Sequence, residues 1–505
     1  MTVIAARILL VYPPSRTQNH FQCPSGILML GAVLEKAGHQ VFLVDANAAQ
    51  NRRKSEEIVS IAENIKPDVI GITLLTPMVR EAYRLARLLK ATGAKLLAGG
   101  PHATILPEEP LFFGFDATVI GEGEDTIVEA VQALQGKMPA EKVRGWVYRD
   151  TEGKPRHTGQ RSVITDLDSL PMPARHLVDP SDYGPPDNTG LHSNIFSSRG
   201  CPARCSYCAG SLFGKKFRFR SSDSVLEEIF LLNRTYGTTS FHFVDDAMTM
   251  DHARVGLICA GLRRSGQGLT WSMMTRIDTV NDELLSLVAE AGCVRIDYGV
   301  ESGHPETLRR IHKPHTVDMV RKTIQLTAKH GISSNVFFIL GFPWEDAAAL
   351  EETKNLMREL APYVECFHPA IASILIPFPG TEIYEVSREQ YGLENWWLSD
   401  DRNYDAPKTG SHSYFHKRIF PLGAVLDADF FHYPDSVKAK IYDIFRFMHL
   451  HGLRKAGWAS SSLRRSLIDF SEWLHRMSPT LERGVFTVLT KTAALFVPSE
   501  RESIN

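Results

Sequence analysis

The chain has 505 residues, 43% of them hydrophobic and 23% charged, with a formal net charge of -2. That length exceeds one ordinary core and implies two or three domains, while the near-neutral balance excludes a global bias towards nucleic acid or a strongly acidic partner. No run of about 18 apolar residues is present, so no membrane-spanning helix is expected; the start lacks a small-residue cleavage site, and the expected compartment is the cytoplasm.

Residues 1–140 alternate short β-branched runs with amphipathic stretches. Strands are expected at 8–12, 41–45, 69–73, 95–98 and 117–120, and helices at 27–37, 56–65, 79–92 and 126–134. This is the pattern of an α/β domain with a doubly wound parallel sheet of Rossmann or flavodoxin type. A ligand of such a sheet lies beyond the carboxyl ends of its strands. The turns to watch are therefore Pro13-Pro14-Ser15, the stretch from Thr73 to Pro77 that includes Thr76, Gly99-Gly100-Pro101-His102 and Gly121-Glu122-Gly123-Glu124. Residues 141–190 carry one strand candidate at 146–149 and then prolines at 171, 173, 180, 185 and 186, the composition of a linker.

A second alternating series fills 191–385, with strands at 194–197, 240–244, 269–273, 294–300, 334–340 and 370–376 and helices at 224–236, 282–291, 317–330 and 347–360. Six β/α units predict a partial (β/α)6 barrel of TIM type whose site lies at the strand carboxyl ends. Beyond 385 the strand signals fade. Helical spacing at 437–453 and 461–477 predicts a helical C-terminal domain, 386–505, with aromatic and basic character and an apolar run at 485–497 broken by Lys491.

Of seven cysteines, Cys201, Cys205 and Cys208 crowd into eight positions, while Cys23, Cys259, Cys293 and Cys366 are scattered. This is a poor disulfide framework and a good metal-binding one. The crowded three follow the first barrel strand directly. Three thiolates suit an iron–sulfur cubane with one iron left open. Structural zinc is the alternative, and it requires a fourth ligand, for which His192 is the nearby candidate.

The spacing Cys-x3-Cys-x2-Cys, with Tyr207 before the last cysteine, resembles the signature of the radical S-adenosylmethionine (SAM) superfamily. The resemblance implies a [4Fe-4S] cluster on Cys201, Cys205 and Cys208, SAM on the open iron, and reductive cleavage of SAM to a 5'-deoxyadenosyl radical. It also implies SAM contacts from Tyr207, from Asp245 and Asp246 near the amino group, and from Arg276, Glu301 and Ser302 near ribose and carboxylate. Gly341, in the turn 339–343, would face adenine.

A doubly wound domain ahead of such a barrel resembles the cobalamin-dependent group of this superfamily, the class B radical SAM methyltransferases. Cobalamin would then meet Thr73, Thr76, Gly99, Gly100, His102, Glu122 and Gly123. The Asp-x-His-x-x-Gly motif that supplies a cobalt ligand elsewhere is absent from 1–140, as is usual in this group. The implied activity is methylation of an unactivated carbon, with one SAM methylating cobalamin and a second generating the radical. A cyclase or rearranging enzyme of the same architecture, similar to the oxygen-independent protoporphyrin ester cyclases, is one alternative; a non-catalytic corrinoid-binding protein is another. The implied partners are a small-molecule substrate, for which the C-terminal composition suits a lipid or an aromatic natural product, and an electron donor such as flavodoxin or ferredoxin. No catalytic acid, base or radical-quenching residue is singled out by spacing.

Overall fold

The computed structural model describes residues 5–15, 20, 22–183, 193–210, 213–368, 374–399 and 429–455. The expected helix at 461–477, the apolar run at 485–497 and His192 lie outside them.

The first sheet begins with β1 (Arg7–Tyr12), α1 (Ser25–Lys36), β2 (Gln40–Asp45), α2 (Ser55–Ile65), β3 (Val69–Thr73), α3 (Val79–Leu89) and β4 (Lys95–Gly99). It continues through α4 (Pro101–Ile105), α5 (Glu109–Phe112), β5 (Ala117–Val119) and α6 (Glu124–Leu134). Strands run parallel in the order β2-β1-β3-β4-β5. Apart from its first residue, β1 is buried throughout, as an apolar run covered on both faces must be. The order reverses at β1, and that switch opens a crevice at the strand carboxyl ends. The strand expected in the linker is β6 (Trp146–Arg149), which pairs antiparallel with β5 and carries β7 (Pro155–His157) at the sheet edge.

The second sheet contains β8 (Asn194–Ile195), β11 (Ser240–Phe243), β12 (Thr270–Thr275), β13 (Cys293–Glu301), β14 (Ser333–Phe338) and β15 (Cys366–His368), parallel and in sequential order. Its helices are α7 (Ser222–Tyr236), α8 (His252–Ser265), α9 (Asp282–Glu290), α10 (Pro305–Arg310), α11 (Val317–Lys329) and α12 (Ala347–Leu360), followed by α13 (Glu382–Tyr391) and α14 (Asp435–Lys455). Between β8 and α7 lies a small antiparallel ribbon, β9 (Ser198–Arg199) with β10 (Arg218–Phe219). Side-chain caps start the helices where the sequence signals them; Asp346, for example, accepts from the backbone N–H of Ala348 and Ala349 at the head of α12.

The sheet's sixth strand begins ahead of the expected 370–376: Cys366–His368 pair with Asn335–Phe337, Ile374 bridges to Leu340, and 369–373 lie outside the described residues. The first strand ends at Ile195 instead of 197, because Ser197 and Ser198 turn their polar groups to a buried carboxylate on β11's far end. Among the described residues, no helix is long and apolar enough to cross a membrane.

Candidate active site

The loop 200–217, which bears the three crowded cysteines, hangs from the ribbon β9–β10. Gly200 has φ +85°, and a Cβ there would lie 2.5 Å from the carbonyl oxygen of Lys216. Glycine lets the two legs of the loop meet. Asp245 secures the base: it is fully buried and accepts from the Ser197 N–H at 2.7 Å, the Ser198 hydroxyl at 2.8 Å and the Ser197 hydroxyl. It therefore holds the base of the loop through Ser197 and Ser198. Asp246, the next residue, stands at the rim beside Gly200, its carboxyl raised by burial and by Asp245.

Arg276 follows β12 and grips Asp278 at 2.9 and 2.8 Å, leaving a third nitrogen 3.9 Å from Cys201 Sγ. Glu301 ends β13 with φ +71°, a strained conformation for a side-chain-bearing residue. Its carboxylate meets Lys313 Nζ at 3.0 Å and accepts from the Tyr207 hydroxyl at 2.9 Å. Ser302 is fully buried against Thr353 and Glu345, at 3.2 and 3.4 Å. Gly341 has φ +82° and closes against Tyr433, whose hydroxyl donates to the Gly341 carbonyl.

Two participants escape sequence reasoning. Lys313 is buried with Glu301; burial raises the Cys205 thiol on balance, and the Lys313 charge pulls it the other way. Glu345 accepts from the N–H groups of Gly341 and Phe342, at 3.0 and 3.1 Å, and burial pushes its pKa up to about 7. The one available signal was an acidic residue directly after the apolar turn Gly341-Phe342-Pro343-Trp344.

Cys201, Cys205 and Cys208 are all free thiols, the first two half-buried and the third exposed, with Arg276 and Lys313 to balance anionic sulfur. Among the described residues, no three His, Cys, Asp or Glu side chains converge on a single metal ion. Three thiols spread along one loop, beside two cations, suit the separate corners of a cubane.

At the carboxyl ends of β1, β3, β4 and β5 lies a cavity of about 540 Å³. Thr73, Gly99, Gly100, Glu122 and Gly123 line it from the first domain; Ser198, Arg199 and Phe213 line it from the cysteine-bearing segment. Gly100 has φ +92°, and a Cβ there would lie 2.6 Å from Thr73 Oγ1 and 3.0 Å from the Leu74 carbonyl. A largely apolar cleft floored by glycine backbone suits a flat ring or a nucleotide tail. Thr76 and His102 lie outside the lining of this cavity. His102 is wholly buried, with Nδ1 3.1 Å from Thr76 Oγ1 and Nε2 2.9 Å from Glu109. Glu109 also accepts from the Tyr83 hydroxyl at 2.7 Å and the Trp397 indole N–H at 3.0 Å, so this network ties the first domain to the segment after the barrel.

A sheet ending in glycine turns thus opens onto a barrel rim that bears three free thiols. Residues 20–131 match the B12 binding domain and residues 195–357 the Radical SAM superfamily. The chain is 31% identical over 389 residues to the uncharacterized methyltransferase PH0819 of Pyrococcus horikoshii, spanning 75% of this chain and 82% of that one. It belongs to the cobalamin-dependent radical SAM methyltransferase family, whose cofactors are a [4Fe-4S] cluster, SAM and cobalamin. It is also 28% identical to the anaerobic magnesium-protoporphyrin IX monomethyl ester cyclase of Rubrivivax gelatinosus, over 72% of this chain and 66% of that one. Among solved structures, the radical SAM methyltransferase TsrM from Kitasatospora setae, with cobalamin and a [4Fe-4S] cluster bound, is alike in fold, with a TM-score of 0.63 at 18% identity over 77% of this chain and 76% of that one.

Proposed function

We propose that this enzyme methylates an unactivated carbon of a small biosynthetic intermediate, with the cluster on Cys201, Cys205 and Cys208 and cobalamin in the cavity between the two sheets. The observation that carries this reading is a shared wall. Ser198 and Arg199, just ahead of the first cluster thiol, line the same cavity as Thr73, Gly100 and Gly123. When bound, the cluster and SAM supply a carbon radical that removes hydrogen from an inert C–H bond, and cobalamin supplies the methyl group.

The chain's own residues supply position and charge. Arg276 and Lys313 balance the thiolates and offer cationic partners to the SAM carboxylate; Asp246 accepts from its amino group. Tyr207, through its bond to Glu301, keeps that carboxylate directed at the cluster loop. The turn at Gly341, fixed by Glu345, presents backbone to the adenine edge. Gly99, Gly100 and Gly123 let the backbone approach the corrin, and the apolar lining excludes water. Exposed Arg204, Lys215 and Lys216 belong to the cysteine loop and suit an acidic one-electron carrier such as flavodoxin or ferredoxin. Free thiols and such a donor fit the reducing cytoplasm.

A second reading, radical cyclisation, is supported by the likeness to the magnesium-protoporphyrin ester cyclase; its product would gain a ring and no methyl group. The test is anaerobic reconstitution with iron, sulfide and hydroxocobalamin, followed by reduction with SAM and candidate substrates. Equimolar cobalt with a full cubane of iron, and formation of both 5'-deoxyadenosine and S-adenosylhomocysteine, supports methyl transfer. 5'-Deoxyadenosine without S-adenosylhomocysteine favours cyclisation, and absence of both nucleosides overturns the enzyme reading.

A further inference from the structure

Arg199 and Arg218 stand opposite each other on the ribbon that closes the cysteine loop. Both leave their own domain. Arg199 reaches Glu122 at 3.2 Å and also Glu124, while Arg218 reaches Glu122 at 2.9 Å. The four side chains are 12%, 3%, 4% and 7% exposed in the order Arg199, Arg218, Glu122, Glu124. Glu122 is pinned a third time by the Ile164 N–H at 2.7 Å. Two cations and two carboxylates out of water are tolerable only while each keeps its partner, so the arrangement has little freedom to slide.

Its two ends serve different sites. The carboxylates belong to the turn Gly121–Glu124, whose residues line the cavity; Arg199 lies two positions before Cys201, and its guanidinium sits 5.6 Å from the ring of Phe213, another wall of the cavity. Any occupant that holds the turn in place therefore restrains the peptide that leads into the cluster ligands.

We infer that Arg199 is a positioning residue that couples the cavity to the cluster, so that filling one site strengthens binding at the other. The inference rests on the two-cofactor reading above. A cavity occupant orders the turn, Arg199 carries that order to the cysteine loop, and SAM then binds a loop whose ordering cost has already been met. Reciprocity requires that SAM strengthen cobalamin binding by the same factor. Without Arg199, Glu122 keeps Arg218 and both sites persist, but the direct tie to Glu124 is gone.

The test is calorimetric titration of SAM into the full-length, iron-loaded protein with and without hydroxocobalamin. In the wild type, hydroxocobalamin should tighten SAM binding by about fivefold or more, the lower end of ordinary coupling between sites. In Arg199→Met the factor should fall below about twofold, with iron content unchanged, and Arg199→Lys should restore part of it. Should Arg199→Met fail to load iron, Glu124→Gln removes one of the two charge partners of Arg199 from the other domain and should lower the coupling factor, by less than Arg199→Met because the contact with Glu122 remains. Equal coupling in wild type and variants overturns the inference. So does a doubly loaded wild type with no coupling. A wild type that takes up iron but no cobalt overturns the two-cofactor reading itself, and the coupling with it.

Discussion

The Lys313 ammonium lies 3.0 Å from the Glu301 carboxylate beneath the cysteine loop, and the two side chains are 8% and 9% exposed. Glu301 keeps Lys313 protonated despite its burial. Removing one member of such a pair strands a charge that removal of both does not. Glu301→Ala should cost about 3 kcal/mol in urea unfolding and weaken SAM binding. Glu301→Gln combined with Lys313→Met should cost less than the sum of the two single changes; simple additivity would show that the pair is not coupled.

Cys205→Ala removes one of three cluster ligands and leaves the first domain untouched. Reconstituted variant should lose its iron and its reductive SAM cleavage while still taking up hydroxocobalamin, as read by metal analysis and visible absorbance. Cleavage retained without Cys205 would refute the assignment of the cluster to this loop.

Gly100→Ala would place a methyl group 2.6 Å from Thr73 Oγ1 at a backbone with φ +92°. The expected cost is about 1–3 kcal/mol, concentrated in the first domain, with cobalamin uptake reduced and iron loading unaffected. Cobalamin affinity equal to the wild type would mean that the turn tolerates the shift and does not shape the cavity.

Glu345 supplies a pH dependence whose sign is determined. Its folded pKa of about 7 stands above the ordinary 4.5, so the folded state takes up a proton between those values. Its contribution is most favourable below pH 4.5 and declines until about pH 7. Glu345→Gln can accept from Gly341 and Phe342 with its oxygen and donate to the Thr307 and Ser302 hydroxyls with its amide. The variant should therefore gain on the wild type as pH rises through this window, by at most about 1.4 kcal/mol per unit. Parallel stability curves across the window would show that Glu345 does not titrate there.

What the sequence disclosed follows from what is local. The strands of both sheets were legible because buried parallel strands are short, β-branched and bounded by turns, and the cysteine triad because its three ligands lie on one loop. The pairing of 366–368 was not legible, because Cys366 and His368 interrupt the apolar pattern there. Orientation was less accessible than position: Asp245 and Ser302 sit at the expected strand ends and bond to Ser197, Ser198 and Thr353, and His102 turns into the protein towards Glu109. Lys313, Glu345, Arg199 and Glu124 have roles created by partners; Arg199 and Glu124 are 75 residues apart. Such pairs have no period to read.

The bond from Trp397 to Glu109 spans 288 residues of chain. During synthesis from the N-terminus, the Glu109 carboxylate and its neighbours Tyr83 and His102 are complete well before the indole that joins them has been made. The first sheet can therefore settle on its own contacts, as domains folding in order of emergence do. The interface is finished last, and the time the nascent chain spends with one sheet formed and the other still unmade is the interval in which that carboxylate awaits its final donor.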